Sequence, residues 1–180
     1  MAQDCDRTPD ISPDISPDIS PDNTFFQFEA DFVESLRCIP MQVRLKLDTC
    51  GVKLKLEHWH RLGSADRDRL TQLPCTSGDQ VMAYTATVQG LVQAVQGAPA
   101  STLAIDPAPP WQEGGTVPAE VQAQAALHDV TLEVDQWRSL RPLQRFALIK
   151  LSRPGHENRN FYPALVEFGL ALPPPPAADP

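Results

Sequence analysis

GVKLKLEHWHRLGSADRDRLTQL, residues 51–73, returns 78 residues later as DVTLEVDQWRSLRPLQRFALIKL, residues 129–151, and the reading of that near-repetition decides the fold. Residues 39–92 align with 117–170 at this offset without a gap. Twelve positions coincide: Pro40/Pro118, Val43/Val121, Val52/Val130, Leu54/Leu132, Trp59/Trp137, Leu62/Leu140, Arg67/Arg145, Leu70/Leu148, Leu73/Leu151, Tyr84/Tyr162, Ala86/Ala164 and Val88/Val166. Most are large and apolar, which is the selection a shared interior makes, because burying one such side chain is worth roughly 1.5–3 kcal/mol. The pattern predicts two copies of one helical unit packed face to face.

Within the first copy, Pro40 opens a helix in which Val43, Leu47 and Cys50 share one stripe, and Gly51 ends it. Leu56, Trp59 and Leu62 recur every third residue. Ser64 is placed to cap a following helix that holds Arg67, Leu70 and Leu73 and stops at Pro74. Ser77 and Gln80 form a capping-box pair before Val81, Tyr84, Val88, Leu91 and Val95, which predicts the longest helix. The second copy repeats the plan, with LQRFALIKL so apolar that a central helix is expected. Before the first copy, FFQFEADFVESLR reads as a helix with Phe28, Phe32 and Leu36 on one face. The short alternation VKLKL fits the helical frame as a loop and helix start. The join at 97–116 holds four prolines and three glycines and reads as a crossing loop pinned by Trp111.

The expectation is therefore all-α: a single compact helical domain over 25–171, built from two duplicated units at 39–92 and 117–170. It is flanked by a disordered PDIS-repeat tail at 1–24 and a Pro-rich tail at 172–180. At 180 residues and 42% hydrophobic content, the chain can bury one sizeable core. No apolar run reaches the roughly 18–20 residues needed to span a bilayer, and no basic-then-apolar leader precedes the acidic repeat. These features predict a cytoplasmic protein that does not engage membranes. The net charge of −8 is uneven. Six aspartates against Arg7 occupy the first 24 residues, whereas six bases fall in 37–61 and six more in 138–159. Without a recognition-helix pattern, that balance argues against nucleic acid.

A site is best sought among polar residues found in one copy only, since positions shared by both copies are explained by the scaffold. Trp59, Trp137, Arg67 and Arg145 thus read as structural, the two arginines bonding helix-end carbonyls or a buried carboxylate. Cys38, Cys50, His58, His60 and Cys75 lie in or beside the first copy alone, but their spacing lacks the close Cys pair of a zinc site. They read as buried or half-buried free thiols and surface histidines. SRPGHENRNF, 152–161, is the most polar segment and the least repeat-like. Its His–Glu pair lacks a nucleophile or second carboxylate, so the readings left open are a self-capped helix start or a binding surface. Arg37, Arg153 and Arg159 are candidates for an anion patch beside it.

FFQFEADFVESLRCIPMQVRLKLDTCG, the Trp59 and LPC segments, and LQRFALIKLSRPGHENRNFYPALVEF together resemble the nitrate reductase associated protein family of cyanobacteria and related phototrophs, over about residues 25–171. The resemblance implies an accessory role in obtaining active assimilatory nitrate reductase. It does not imply a known active site, and no cofactor is expected. Its polar motif positions here are Arg37, Cys38, His156, Glu157, Asn158 and Asn160. With Arg153 and Arg159 these form the expected partner- or ligand-binding set. The favoured expectation is a non-catalytic accessory or maturation factor that binds the reductase's catalytic subunit. The alternative is a carrier for an anionic ligand such as a molybdopterin nucleotide.

Overall fold

A computed structural model describes residues 24–173; the two expected tails lie almost wholly outside them. The described chain is mostly helical. A 3-10 turn at Gln27–Glu29 leads into α1 (Ala30–Val33), α2 (Met41–Cys50), α3 (Leu56–Arg61), α4 (Ser64–Gln72) and α5 (Gly78–Gln96). After the join come α6 (Ala119–Ala126), α7 (Val134–Ser139), α8 (Pro142–Leu151), a 3-10 turn at His156–Asn160, and α9 (Phe161–Glu167). Helices α3 and α7 begin and end 78 residues apart, and α4 and α8 begin 78 apart, the offset of the sequence repetition. The second half departs where α5 would recur: the 3-10 turn and the seven-residue α9 stand in place of nineteen helical residues.

Caps and stops explain these boundaries. Ser77 Oγ accepts from Gln80 N–H, and Gln80 Oε1 accepts from the Ser77 N–H at 3.1 Å, so α5 begins with its box intact. Gln136 and Gln144 bond back in the same way to the N–H groups of Glu133 and Arg141. Gly51 ends α2 in the left-handed region at φ 67, where the Leu103 carbonyl oxygen would come within 2.9 Å of any added Cβ. Ser64 departs from expectation. Gly63 is the N-cap residue of α4, and Ser64 is already helical.

Four further departures concern packing. Residues 25–37 form only the short turn and α1, because Leu36 adopts φ 47 and turns the chain away. VKLKL supplies a real if minimal strand, β1 (Val52–Lys53), paired antiparallel with β2 (Ser101–Thr102) from the join. In α3 the stripe is rotated from the one expected: Leu56 is 47% exposed, whereas His58 is buried beside Trp59. His58 was expected on the surface; its ring instead makes no hydrogen bond, with Nε2 3.5 Å from a Glu57 carboxylate oxygen.

Helix α2 is not amphipathic. Val43, Leu47 and Cys50 enter a core with Trp59, Leu70, Tyr84 and Val88, while Met41 and Leu45 enter a second core with Val121, Trp137, Phe146, Leu148 and Phe161. A helix apolar or buried on both sides must lie between two packed bodies, and α2 is the shared wall. Helix α8 is equally enclosed, with Leu143 and Ala147–Ile149 buried. Asp48 of α2 and Lys150 of α8 pair at 2.6 Å, mostly shielded from solvent, and tie the halves together.

Candidate functional site

Two Trp–Arg pairs fasten loops to the helices, and one of those loops builds a cleft. Trp59 Nε1 donates to the Leu36 carbonyl at 2.6 Å, and Arg67 Nη1 donates to the same oxygen at 3.0 Å. His60 Nε2 lies 2.8 Å from the Arg37 carbonyl. Leu36 holds a left-handed conformation that costs a non-glycine residue about 1–2 kcal/mol, and these contacts to consecutive carbonyls fix it. Arg37 and Cys38 follow directly and are set by that turn.

In the second half Trp137 Nε1 donates to the Glu113 carbonyl at 3.1 Å, and Arg145 Nε donates to that of Trp111 at 2.8 Å. Arg145 also closes the end of α7 through the Leu140 carbonyl at 2.9 Å. Burial lowers the Arg145 pKa, opposed by nearby Glu113. Trp111 stands edge-on to Phe146, with ring centroids 5.1 Å apart.

The cleft, about 120 Å³, is lined by Phe28, Glu29, Asp31, Phe32, Arg37, Cys38, Ile39, Met41, Arg44, Leu151, Arg159 and Asn160. Four expected residues thus meet in one place: Arg37 and Cys38 from the stapled loop, Arg159 and Asn160 from the 3-10 turn before α9. Arg37 pairs with Asp31 at 3.1 Å in solvent, a contact of small energetic weight. Arg159 is exposed and makes no hydrogen bond or ion pair among the described residues. Arg44, which lines the cleft, donates through Nε to the Ile39 carbonyl at 2.9 Å.

Other expected residues fall elsewhere. Arg153 is exposed and outside this lining. Asn158 is turned inward, its Oδ1 accepting from Gln124 Nε2 at 2.9 Å. The side chains of His156 and Glu157 lie outside what the structure describes. Neither Gly155 nor Asn160, the residues at the starts of the 3-10 turn and α9, makes a side-chain cap. Cys50 and Cys75 are buried free thiols, and Cys38 is a half-buried one. No group of three or more potential metal ligands occurs among the described residues, and none of their helices is long and apolar enough to cross a membrane.

Glu29 and Arg44 were missed by the sequence reading. Glu29 is 1% exposed. Its carboxylate accepts from the Met41 N–H at 2.8 Å, at the start of α2, and from the Phe26 N–H at 3.1 Å. Burial raises its pKa to about 7, against the lowering influence of those two N–H groups and of Arg44. A carboxylate set between the phenylalanines of FFQFEADF was the available signal, though Asp31 in the same stretch carries it equally. For Arg44 the signal was the repetition itself, because the matching position in the second copy is Gln122.

Chemically the cleft presents three guanidinium groups, one of them paired with the Asp31 carboxylate, and an amide around a space sized for a carboxylate or phosphate group. Its one buried carboxylate is occupied with backbone N–H groups. Among curated proteins and solved structures, none matches this chain. The family model described as conserved nitrate reductase-associated protein matches residues 25–168, which include both tryptophan staples and the whole cleft, and the chain belongs to that family.

Proposed function

We propose that this protein is a non-catalytic accessory or maturation factor that binds the catalytic subunit of assimilatory nitrate reductase and supports formation of the active molybdenum and iron–sulfur enzyme. The observation that carries the reading is the convergence of Arg37, Cys38, Arg159 and Asn160, from chain positions more than a hundred residues apart, in one cleft of a chain whose family is described as reductase-associated. Arginine suits recognition of a partner's acidic group, because its planar fork binds a carboxylate with two parallel hydrogen bonds. The staples hold the loop in place before binding, which reduces the ordering cost of association. Cytoplasmic placement belongs to the same proposal.

A second reading, carriage of an anionic ligand such as a molybdopterin nucleotide, draws support from the same three guanidinium groups. The lining weighs against it. The cleft alone, about 120 Å³, is below the roughly 300–1,000 Å³ of sites that enclose whole cofactors, and the adjoining space of about 360 Å³ that would have to take the rest is walled largely by leucine and valine. Sedimentation of the purified protein with apo- and holo-reductase tests the main reading. A co-sedimenting complex with at least one form is expected, and no complex with either overturns it. Pterin fluorescence in the protein as isolated would instead favour the carrier.

A further inference from the structure

The arginine cleft shares a wall with a larger cavity. Cys38, Ile39 and Arg44 line both, and the second, about 360 Å³, is otherwise bounded mainly by Leu47, Val52, Leu54, Leu56 and Leu103. Leu56 is 47% and Leu103 39% exposed, so aliphatic surface is open to water directly beside the guanidinium groups. Asp48, Lys150 and Lys53 also border this cavity; the first two pair at 2.6 Å, and exposed Lys53 leaves one cation beside a wall that is otherwise mainly aliphatic. One compartment is complementary to an anion and the other to a branched hydrocarbon. A small inorganic anion would fill only the first, and an uncharged apolar helix would cover Arg159, which makes no ion pair among the described residues, without offering it a partner.

We infer that the two cavities form one groove for an extended acidic–apolar peptide segment of a partner protein. Its carboxylate sits among Arg37, Arg44 and Arg159, and its aliphatic side chain lies against Leu54, Leu56 and Leu103. The inference rests on the docking role proposed above, and adds the chemistry of the segment recognised. A probe of that chemistry is at hand in the chain's own residues 10–22, DISPDISPDISPD.

Cys38 reports occupancy, since it lines both cavities and is half-buried while Cys50 and Cys75 are buried. Iodoacetamide labelling of Cys38 is followed by site-resolved mass spectrometry. The protein is the full chain with Asp10, Asp14, Asp18 and Asp22 changed to Asn, so that its own repeat does not compete. Synthetic DISPDISPDISPD should slow Cys38 alkylation. NISPNISPNISPN, which lacks the carboxylates, and DTSPDTSPDTSPD, which replaces the aliphatic side chain by a hydroxyl-bearing one, should not. Arg159→Glu, an exposed substitution, should raise the peptide concentration needed by about tenfold or more, the loss expected for one charge-assisted contact. Restoring the four aspartates should weaken the probe by competition. Equal protection by all three peptides, or none by any, overturns the inference. Full protection by inorganic phosphate alone reduces the site to an anion pocket and also overturns it. Loss of peptide protection with reductase co-sedimentation intact removes the groove but not the accessory role, and the converse pattern removes the role but not the groove.

Discussion

The two Trp–Arg staples use the same side chains for different ends. Trp59 and Arg67 converge on a single oxygen, that of Leu36, and the residues they steady, Arg37 and Cys38, enter a solvent-facing cleft. Trp137 and Arg145 hold Glu113 and Trp111, and the ring they steady packs onto Phe146 inside the second core. One device presents a polar loop and the other completes a hydrophobic interior. The site also gathers where the halves diverge: Arg37 and Cys38 precede the first unit, while Arg159 and Asn160 occupy the 3-10 turn that replaces the start of an α5-like helix. The contrast supports a duplicated helical unit, which we propose for 39–92 and 117–170, with scaffold positions kept in both copies and recognition confined to the unmatched ones.

The comparison breaks first at the tryptophans. Trp59→Ala and Trp137→Ala should each destabilise by about 4 kcal/mol in urea titrations, since each empties a fully buried ring site and removes an indole hydrogen bond. At urea concentrations well below the transition, only Trp59→Ala should change the Cys38 alkylation rate. Equal changes in both variants would mean that the first staple does not govern the cleft.

The arginines should differ more than the tryptophans. Arg145 is buried and reaches four carbonyls, at 2.8, 2.9, 3.4 and 3.4 Å. Arg67 reaches two, at 3.0 and 3.4 Å, with Nε left buried and unbonded. Arg145→Ala should therefore cost about 3 kcal/mol and Arg67→Ala about 1.5, given the worth of hydrogen bonds to charged groups. Identical losses would contradict this ranking.

Glu29 sharpens the contrast through pH. Below about pH 4.5, its ordinary value, the carboxyl is protonated whether the chain is folded or not, and makes no difference. Between there and about pH 7 the unfolded chain releases the proton while the folded chain keeps it, so stability falls as pH rises. The loss levels off above pH 7 at roughly 3 kcal/mol. Glu29→Gln should flatten that slope in denaturation curves taken from pH 5 to 8, while weakening the fold at low pH by leaving one backbone N–H facing an amide NH2. A slope unaffected by the substitution would assign the pH dependence to another group.

Much of the architecture was legible because its signals are local. Proline and glycine stops, the Ser77–Gln80 box and the offset of 78 residues read directly into α2 to α5 and α7 to α8. The burial of α2 on both sides was not, because Met41 and Leu45 are enclosed by a core made mostly of second-half residues. The inversion of Leu56 and His58 likewise depends on which neighbours α3 meets, and the truncation of the first helix depends on a carbonyl clamp from residues 23 and 31 positions away. Four site residues could be named from sequence, since unmatched polarity is visible there. That Arg153 would fall outside the cleft and Arg44 inside it could not, since convergence is a property of tertiary packing.

The central claim is that recognition runs through the cleft and not through basic charge in general. Arg159 and Arg153 make the fairest pair for testing it: both are exposed arginines near the same 3-10 turn, and only Arg159 lines the cleft. Sedimentation of nitrate reductase with Arg159→Glu and with Arg153→Glu protein should show the complex lost in the first and kept in the second, and equal retention or equal loss would contradict the account.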